Sequence, residues 1–256
     1  MTDPALVRLR PAPGASGLDD TELAALYTAG TGAGPSWLRV NFVASLDGAA
    51  TEQGLSGGLS DDADKRVFDI LRRLCDVVVV GAGTIRAEGY GAMRVDAASQ
   101  RARRADGLTE HPVFAIVSAV LDLDPAGPIF REAPERPLVL TSERSRAGAR
   151  EALAEVADVV VCGAQRVEPR LLVRELAARG LRRIHCEGGP RLFGDLLAGG
   201  VVDELCLTLS PRLEAGSATR IAVGAAPIEP VGMRLAHVLH SEDTLLLRYV
   251  RAGAAA

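Results

Sequence analysis

The stretch that most constrains this chain runs from Arg182 to Gly200. Ile184, His185 and Cys186 read as a short strand, Gly188-Gly189 as a tight turn, and Pro190 onward as a helix that stops at Gly199-Gly200. Two adjacent glycines remove side chains where the backbone must turn. Proline has its φ preset for a first helical position. Leu192, Phe193, Leu196 and Leu197 then recur at helical spacing. The first amides of such a helix have no partner within it and favour an anion. A carboxylate, Glu187, stands at the strand end beside that anion seat. A strand, a glycine turn and a helix in this order demand a layered α/β fold.

Strands and helices alternate along the chain from residue 37 to about 200. Trp37 to Ala44 reads as a strand closed by the turn residues Ser45-Leu46-Asp47-Gly48. Ser60-Asp61-Asp62 is an N-cap cluster for a helix carrying Val67, Phe68, Leu71 and Leu74. Asp76 to Val80 is a continuous apolar run, as in a parallel strand buried on both faces. Gly81-Ala82-Gly83-Thr84 then turns into a second helix. Further strands are expected at Val113 to Val117, Leu138 to Leu140 and Val159 to Cys162, and helices at Ala147 to Ala154 and Arg170 to Ala178. Residues 96–110, polar and arginine-rich, read as a solvated loop. Asp203 to Ser210 and Thr244 to Val250 read as closing strands joined by a long loop that holds His237 and His240. The expected fold is a mixed, mostly parallel sheet flanked by helices, with an antiparallel C-terminal edge. Residues 36–252 form one domain. Residues 1–35 form an arm, with a short helix after Asp19-Asp20-Thr21-Glu22 and a linker at Gly30 to Pro35; it is either a cover or a loose tail.

Composition excludes several functions. A net charge of −4 gives no basic footprint for nucleic acid. No apolar run approaches the roughly twenty residues of a membrane span, and Met1 to Pro13 lacks a signal-peptide core, so a cytoplasmic protein is expected. The four cysteines share no CxxC spacing and read as buried thiols. His185-Cys186-Glu187 matches half of a zinc deaminase signature, but no P-C-x-x-C follows, and no metal is expected.

Two strand-to-helix turns are glycine-rich, Gly81-x-Gly83-Thr84 and Gly188-Gly189-Pro190. In a parallel sheet such turns gather at the carboxyl ends of the strands, where ligands bind. The third glycine of a dinucleotide fingerprint would fall on Arg86, and no Gly-Lys-Ser/Thr follows either turn. One helix N-terminus gives an anion roughly 0.3–2 kcal/mol, whereas micromolar binding needs about 8 kcal/mol. A dinucleotide therefore needs both turns and contacts to base and ribose. Ser118, Thr141 and Ser142, each at a strand end, are candidates for the adenosine ribose and its 2′-phosphate, or else cap their loops.

Taken together, Ala44 to Gly48, Gly54-Leu55-Ser56, Leu71-Arg72, Gly83 to Glu88, Glu187 to Pro190, Gly200 to Leu205 and Ser210 to Leu213 resemble the reductase domain of riboflavin biosynthesis. That domain is the C-terminal half of bifunctional deaminase–reductases and has a dihydrofolate-reductase-like fold. The likeness spans about residues 37–250 and lacks the deaminase half. It implies NADPH as hydride donor and 5-amino-6-(5-phosphoribosylamino)uracil as the small-molecule substrate, whose ribosyl group becomes a ribityl chain. It also implies a homodimer. By resemblance Thr84, Glu88 and the run Gly188, Gly189, Pro190, Arg191, Leu192, Phe193, Gly194 and Asp195 meet the cofactor, with Ala44 and Gly58 near further cofactor positions. Ser56, Arg72 and Glu187 match substrate contacts, and Arg94 falls near a second substrate arginine.

The residues have readings of their own. Arg72 suits a sugar phosphate, which wants a bidentate cation, or is a surface arginine. Asp47, before a glycine, orients a substrate group or stabilises its turn. Glu187 has little packing reason to stand where it does; it serves substrate hydroxyls or proton transfer, or is an interior acid held by helix amides. Glu88 to Arg94 departs from the family pattern, which keeps open a dihydrofolate or pterin reductase on the same fold; a non-catalytic nucleotide-binding protein is a further alternative.

Overall fold

The computed structural model describes residues 7–10, 17–28 and 34–253. Among them, ten strands form one sheet: β1 (Val7–Arg10), β2 (Trp37–Ser45), β3 (Val77–Gly81), β4 (Val113–Val117), β5 (Leu138–Thr141), β6 (Asp158–Val161), β7 (Arg183–Cys186), β8 (Glu204–Ser210), β9 (Met233–Ser241) and β10 (Thr244–Arg251). The helices are α1 (Asp20–Thr28), α2 (Asp62–Leu74), α3 (Ala82–Glu88), α4 (Ala97–Ala105), α5 (Pro128–Arg131), α6 (Ala147–Ala154), α7 (Pro169–Ala178) and α8 (Pro190–Ala198). The strand order is β1-β9-β10-β8-β2-β7-β3-β4-β5-β6. Pairing is parallel from β8 through β6 and antiparallel among β8, β10, β9 and β1. The expected mixed sheet with an antiparallel edge is therefore present.

Burial explains the arrangement. Val77 to Val80 in β3 are all at most 1% exposed, as a central parallel strand between two helix layers requires. One apolar cluster joins β2, β3 and β7 to Leu172 and Leu176 of α7 and to Leu192, Phe193 and Leu196 of α8. A second, on the other face, gathers Val78, Phe114, Ile116 and Leu153. In the N-terminal region, Asp19 and Glu22 cap α1 reciprocally: Glu22 N–H donates to Asp19 (2.8 Å) and Asp19 N–H to Glu22 (2.9 Å). Leu23 and Tyr27 of α1 then pack on Val67 and Leu71 of α2. The linker expected at Gly30 to Pro35 lies mostly outside the described residues.

Two sequence expectations are corrected. Residues 96–110 are not a solvated loop, for α4 occupies Ala97–Ala105, capped by Asp96, which accepts from Ser99 N–H at 2.8 Å. Its anchor is Arg103, fully buried, which donates to the carbonyls of Arg72, Arg73 and Cys75 at the end of α2. A guanidinium satisfying a helix C-terminus leaves no apolar periodicity to read. The long loop before the last strand contains β9, which places His237 inside the sheet. Its inward positions include His237 and Ser241, so the alternation of apolar residues is broken.

The sheet holds one fully buried charge cluster. Glu204 is unexposed and accepts from Arg39 Nε (2.5 Å), Arg248 Nε and Nη2 (3.0 Å each) and Trp37 Nε1 (2.8 Å). Arg39 and Arg248 also donate to the carbonyls of Tyr27 and Leu26 at the end of α1. Burial alone would raise the Glu204 pKa; the two guanidinium groups outweigh it and hold the carboxyl down at about 2, against an ordinary 4.5. A carboxyl with a depressed folded pKa stabilises above its unfolded pKa and loses that contribution as pH falls toward the folded value. Glu204→Ala leaves two buried cations facing each other and is expected to cost about 3–5 kcal/mol in urea unfolding. In the parent chain the Glu204 contribution is expected to be complete above about pH 4.5 and to fade between there and pH 2, which unfolding midpoints across that range would show.

Candidate active site

The carboxyl ends of β2, β3, β7 and β8 lie side by side, and two turns meet there. Gly81 N–H, at the end of β3, donates to the Gly188 carbonyl (2.9 Å), and Glu187 N–H donates to Val79 O (3.1 Å). The Gly188-Gly189 peptide is cis, with Gly188 at φ +98°. The glycines are needed for space: a methyl built on Gly189 would lie 2.3 Å from Thr84 Oγ1, and one on Gly188 would lie 3.1 Å from the Phe42 ring. Phe42 in turn stacks on Phe193 of α8, ring centroids 5.3 Å apart. Phe193 N–H makes the first bond of α8, to Gly189 O, so the amides of Arg191 and Leu192 precede the helix ladder.

Two cavities open on either side of this junction and share Gly83, Thr84, Gly189, Pro190 and Thr219 in their walls. One, of about 460 Å³, is walled by Asn41, Phe42, Val43, Ser56, Asp64, Phe68, Glu88, Tyr90 and Glu187 among others. The other, of about 570 Å³, is walled by Arg86, Ser118, Arg191, Leu192, Asp195 and Val223. A recess of about 320 Å³ beside the first is bounded by Ser56, Phe68, Arg72, Tyr90 and Met93.

Glu187 and Arg72, read separately in the sequence, form one unit. Arg72 Nε donates to Glu187 Oε1 (2.6 Å) and Nη2 to Oε2 (2.8 Å), a bidentate pair. The Tyr90 hydroxyl donates to the same Oε2 (3.1 Å). The Glu187 side chain is only 1% exposed. The Arg72 guanidinium carbon lies over Phe68, 4.2 Å from the ring centre. Burial disfavours the Arg72 charge, but the Glu187 carboxylate more than offsets it and keeps the guanidinium protonated. Burial, then the same carboxylate, push the Tyr90 phenol well above its ordinary range. His185 sits beneath, Nε2 3.6 Å from Glu187 Oε1. Burial lowers its pKa to about 4, so it is neutral at neutral pH. Glu187 is thus an interior acid, held by a guanidinium and a phenol rather than by helix amides.

The other expected site residues divide. Ser56, Thr84, Glu88, Gly189, Pro190, Arg191, Leu192, Asp195 and Ser118 line the cavities. Glu88 also accepts from Ser56 N–H (2.8 Å), fixing the loop after β2. Phe193 and Gly194 face inward: Phe193 belongs to the core, and Gly194 backs onto the Val223 carbonyl. Ala44 is buried in β2. Gly58 packs on the Glu52 side chain, outside the cavity walls. Thr141 and Ser142 are at most 1% exposed and do not reach the second cavity. Arg94 is turned outward to the Glu132 carbonyl. Asp47 accepts from the Ser45 hydroxyl and from Ala215 N–H (2.7 Å) and Glu214 N–H (3.2 Å). The Ser45 hydroxyl, followed by those amides, lowers its pKa to about 2; it ties a loop to the strand end and does not face Glu187. Asn41, Asp64, Phe68, Tyr90 and Thr219 are wall residues that sequence reasoning missed. The spacing of Asp64, four before Phe68 and eight before Arg72 on α2, placed all three on one helix face and was the available signal.

An α/β sheet with adjacent cavities across the strand ends, a glycine turn in the wall of both and a buried acid in one wall is the framework of a nucleotide-dependent enzyme. The comparisons with known proteins then specify it. The chain belongs to the RibD C-terminal domain family, whose model matches residues 36–247. It is 31% identical over 193 residues to the 2,5-diamino-6-ribosylamino-4(3H)-pyrimidinone 5′-phosphate reductase of Methanothermobacter thermautotrophicus, covering 74% of this chain and 84% of that protein. The enzyme of the same name from Archaeoglobus fulgidus is 30% identical over 178 residues, covering 69% and 81%. Among solved structures, a pyrimidine reductase-like protein of Corynebacterium diphtheriae superposes with a TM-score of 0.79 at 25% identity, covering 89% of this chain and 98% of that one.

Gly189→Ala drives a methyl into Thr84 and is expected to cost about 1–3 kcal/mol in unfolding free energy. Thr84→Ala in the same chain removes the colliding oxygen and is expected to recover most of that loss in a double-mutant cycle.

Proposed function

We propose that this chain is an NADPH-dependent reductase of a 6-ribosylaminopyrimidine 5′-phosphate, converting the ribosyl group to a ribityl chain in riboflavin biosynthesis. The observation that carries the reading is the pair of cavities joined over Gly189 and Thr84, with the Arg72–Glu187–Tyr90 unit in one wall only. A dinucleotide spans two such spaces, its diphosphate at the junction and its two ends apart. The names of the archaeal relatives support the substrate class.

The residues fit the cofactor. A methyl on Gly189 would meet Thr84, so the junction is kept open by the absence of a side chain. The Arg191 and Leu192 amides and the Thr84 hydroxyl would hold the diphosphate. Ser118 and the guanidinium groups of Arg86 and Arg191 line the second cavity and would hold the adenosine ribose and a 2′-phosphate. When bound, NADPH supplies the hydride. The protein's own work is orientation and charge. Arg72 spends two of its five N–H groups on Glu187, and its others serve the substrate phosphoribosyl group from the recess beside Ser56. Glu187, fixed by the Arg72 and Tyr90 donors, accepts from substrate hydroxyls and orients the reacting carbon.

A homodimer fits the outer sheet. On one face Leu205, Leu207 and Leu209 of β8 pair with Tyr249, Leu247 and Leu245 of β10, and all six are half-buried. A second copy would cover this face. Among the described residues no helix is long and apolar enough to cross a membrane, and the cytoplasm suits a biosynthetic reductase.

Arg72→Ala and Glu187→Gln are each expected to lower kcat/KM for the pyrimidine about 100-fold, and the double variant little further, because the two act as one unit. The NADPH dissociation constant, read by cofactor fluorescence, is expected to stay within about twofold; equal losses for both ligands would refute the assignment. Leu207→Glu is expected to halve the mass seen in analytical ultracentrifugation while leaving the fold intact by circular dichroism.

A further inference from the structure

Lys65 is the only lysine of this chain, among 29 lysine and arginine residues. It stands in the wall of the cavity that holds Glu187, where it is the only basic side chain among the described residues. Three carboxyl groups share that wall: Asp64, Glu88 and Glu187. The helix does not explain the lysine. Lys65 closes the first turn of α2, the end at which a helix dipole favours anions over cations. Its Nζ lies 3.4 Å from Asp62, and the two side chains are 64% and 63% exposed. Such a surface pair holds a lysine only weakly. Lys65, Phe68 and Arg72 are spaced by three and four residues, so they share one face of α2. That face therefore carries two cations about 10 Å apart along the helix axis, with Phe68 between them.

A phosphate that enters a wall with three carboxyl groups needs a cation of its own. Arg72 has two N–H groups committed to Glu187. Arg94, which the resemblance offered as a second substrate arginine, is turned outward to the Glu132 carbonyl. Lys65 is the cation that remains in the wall. An ammonium on a flexible stem binds phosphate as a point charge, with three donors that turn to suit it. We propose that Lys65 takes the 5′-phosphate of the substrate in place of Arg94, while Arg72 serves the ribosyl part. Lys65 is then the residue by which this chain tells the phosphorylated substrate from the bare nucleoside. This inference rests on the reading of the site as a ribosylaminopyrimidine phosphate reductase.

The test pairs the ribosylaminopyrimidine phosphate with the same compound lacking its phosphate. Lys65→Met keeps an unbranched side chain and removes the charge; at this exposed position it is expected to fold like the parent by circular dichroism. It is expected to lower kcat/KM for the phosphorylated substrate about 10- to 100-fold, mainly through KM, as the loss of one charge-assisted contact does. The value for the dephosphorylated substrate and the NADPH dissociation constant are expected to stay within about twofold. Lys65→Arg, which restores the charge, is expected to recover most of the loss. Equal losses on both substrates, or no loss on either, would overturn the proposal. A second readout needs no turnover. Reductive methylation with isotope-labelled formaldehyde marks a single lysine in this chain, and its NMR signal is expected to shift with ribose 5-phosphate and not with ribose. A signal that answers both sugars alike, or neither, refutes the role of Lys65 even in a working reductase. If the parent chain reduces neither pyrimidine, the reaction reading falls, and the ribose 5-phosphate titration still judges Lys65.

Discussion

The close approach of two backbone turns organises this molecule. The end of β3 donates a peptide N–H to Gly188, and Gly189 lies against Thr84 with no room for a methyl. Gly189 and Thr84 of that contact are wall residues of both cavities. It also fixes where Glu187 emerges, because its own N–H is still held by β3. The phenylalanine stack of Phe42 on Phe193 supports the turn from below, so the helix that offers its first amides to the junction is anchored in the core it helps to form.

Two carboxylates show how one chemistry serves two ends. Glu204 and Glu187 are both buried and both paired with arginine. Glu204 lies amid Arg39, Arg248 and Trp37, with every oxygen committed, and its partners reach on to the end of α1. It is a rivet between the N-terminal helix and the sheet. Glu187 and Tyr90 lie in the wall of one cavity, and Arg72 and Tyr90 bound the recess beside it. What separates them is position in the sheet: Glu204 begins β8 at the closed end, and Glu187 follows β7 at the open end. Burial there leaves a charge that a ligand can still approach.

Much of the frame was legible because local patterns carried it. The Val77 to Val80 run, the Asp61 cap and the strand–glycine–proline order at 184–190 each state their structure within a few residues. The failures share one cause. Arg103 and His237 are buried polar side chains whose partners lie far along the chain, so α4 and β9 showed no apolar face to read. Asp47 and Arg94 illustrate the converse. Each suits a site by type and by place in the sequence, but the folded chain brings a loop amide or a carbonyl to it first.

By itself the sequence determined the alternation of strands and helices, the two glycine turns and the acid beside them, since propensity, burial period and backbone freedom act over one or two turns of chain. The tertiary structure alone decided that Arg72 and Glu187 are a single ion pair and that Tyr90 completes it. These are encounters between α2, the segment after α3 and the end of β7, separated by up to 115 residues. Which side chains meet across such a distance is set by sheet order and register, which no local pattern encodes.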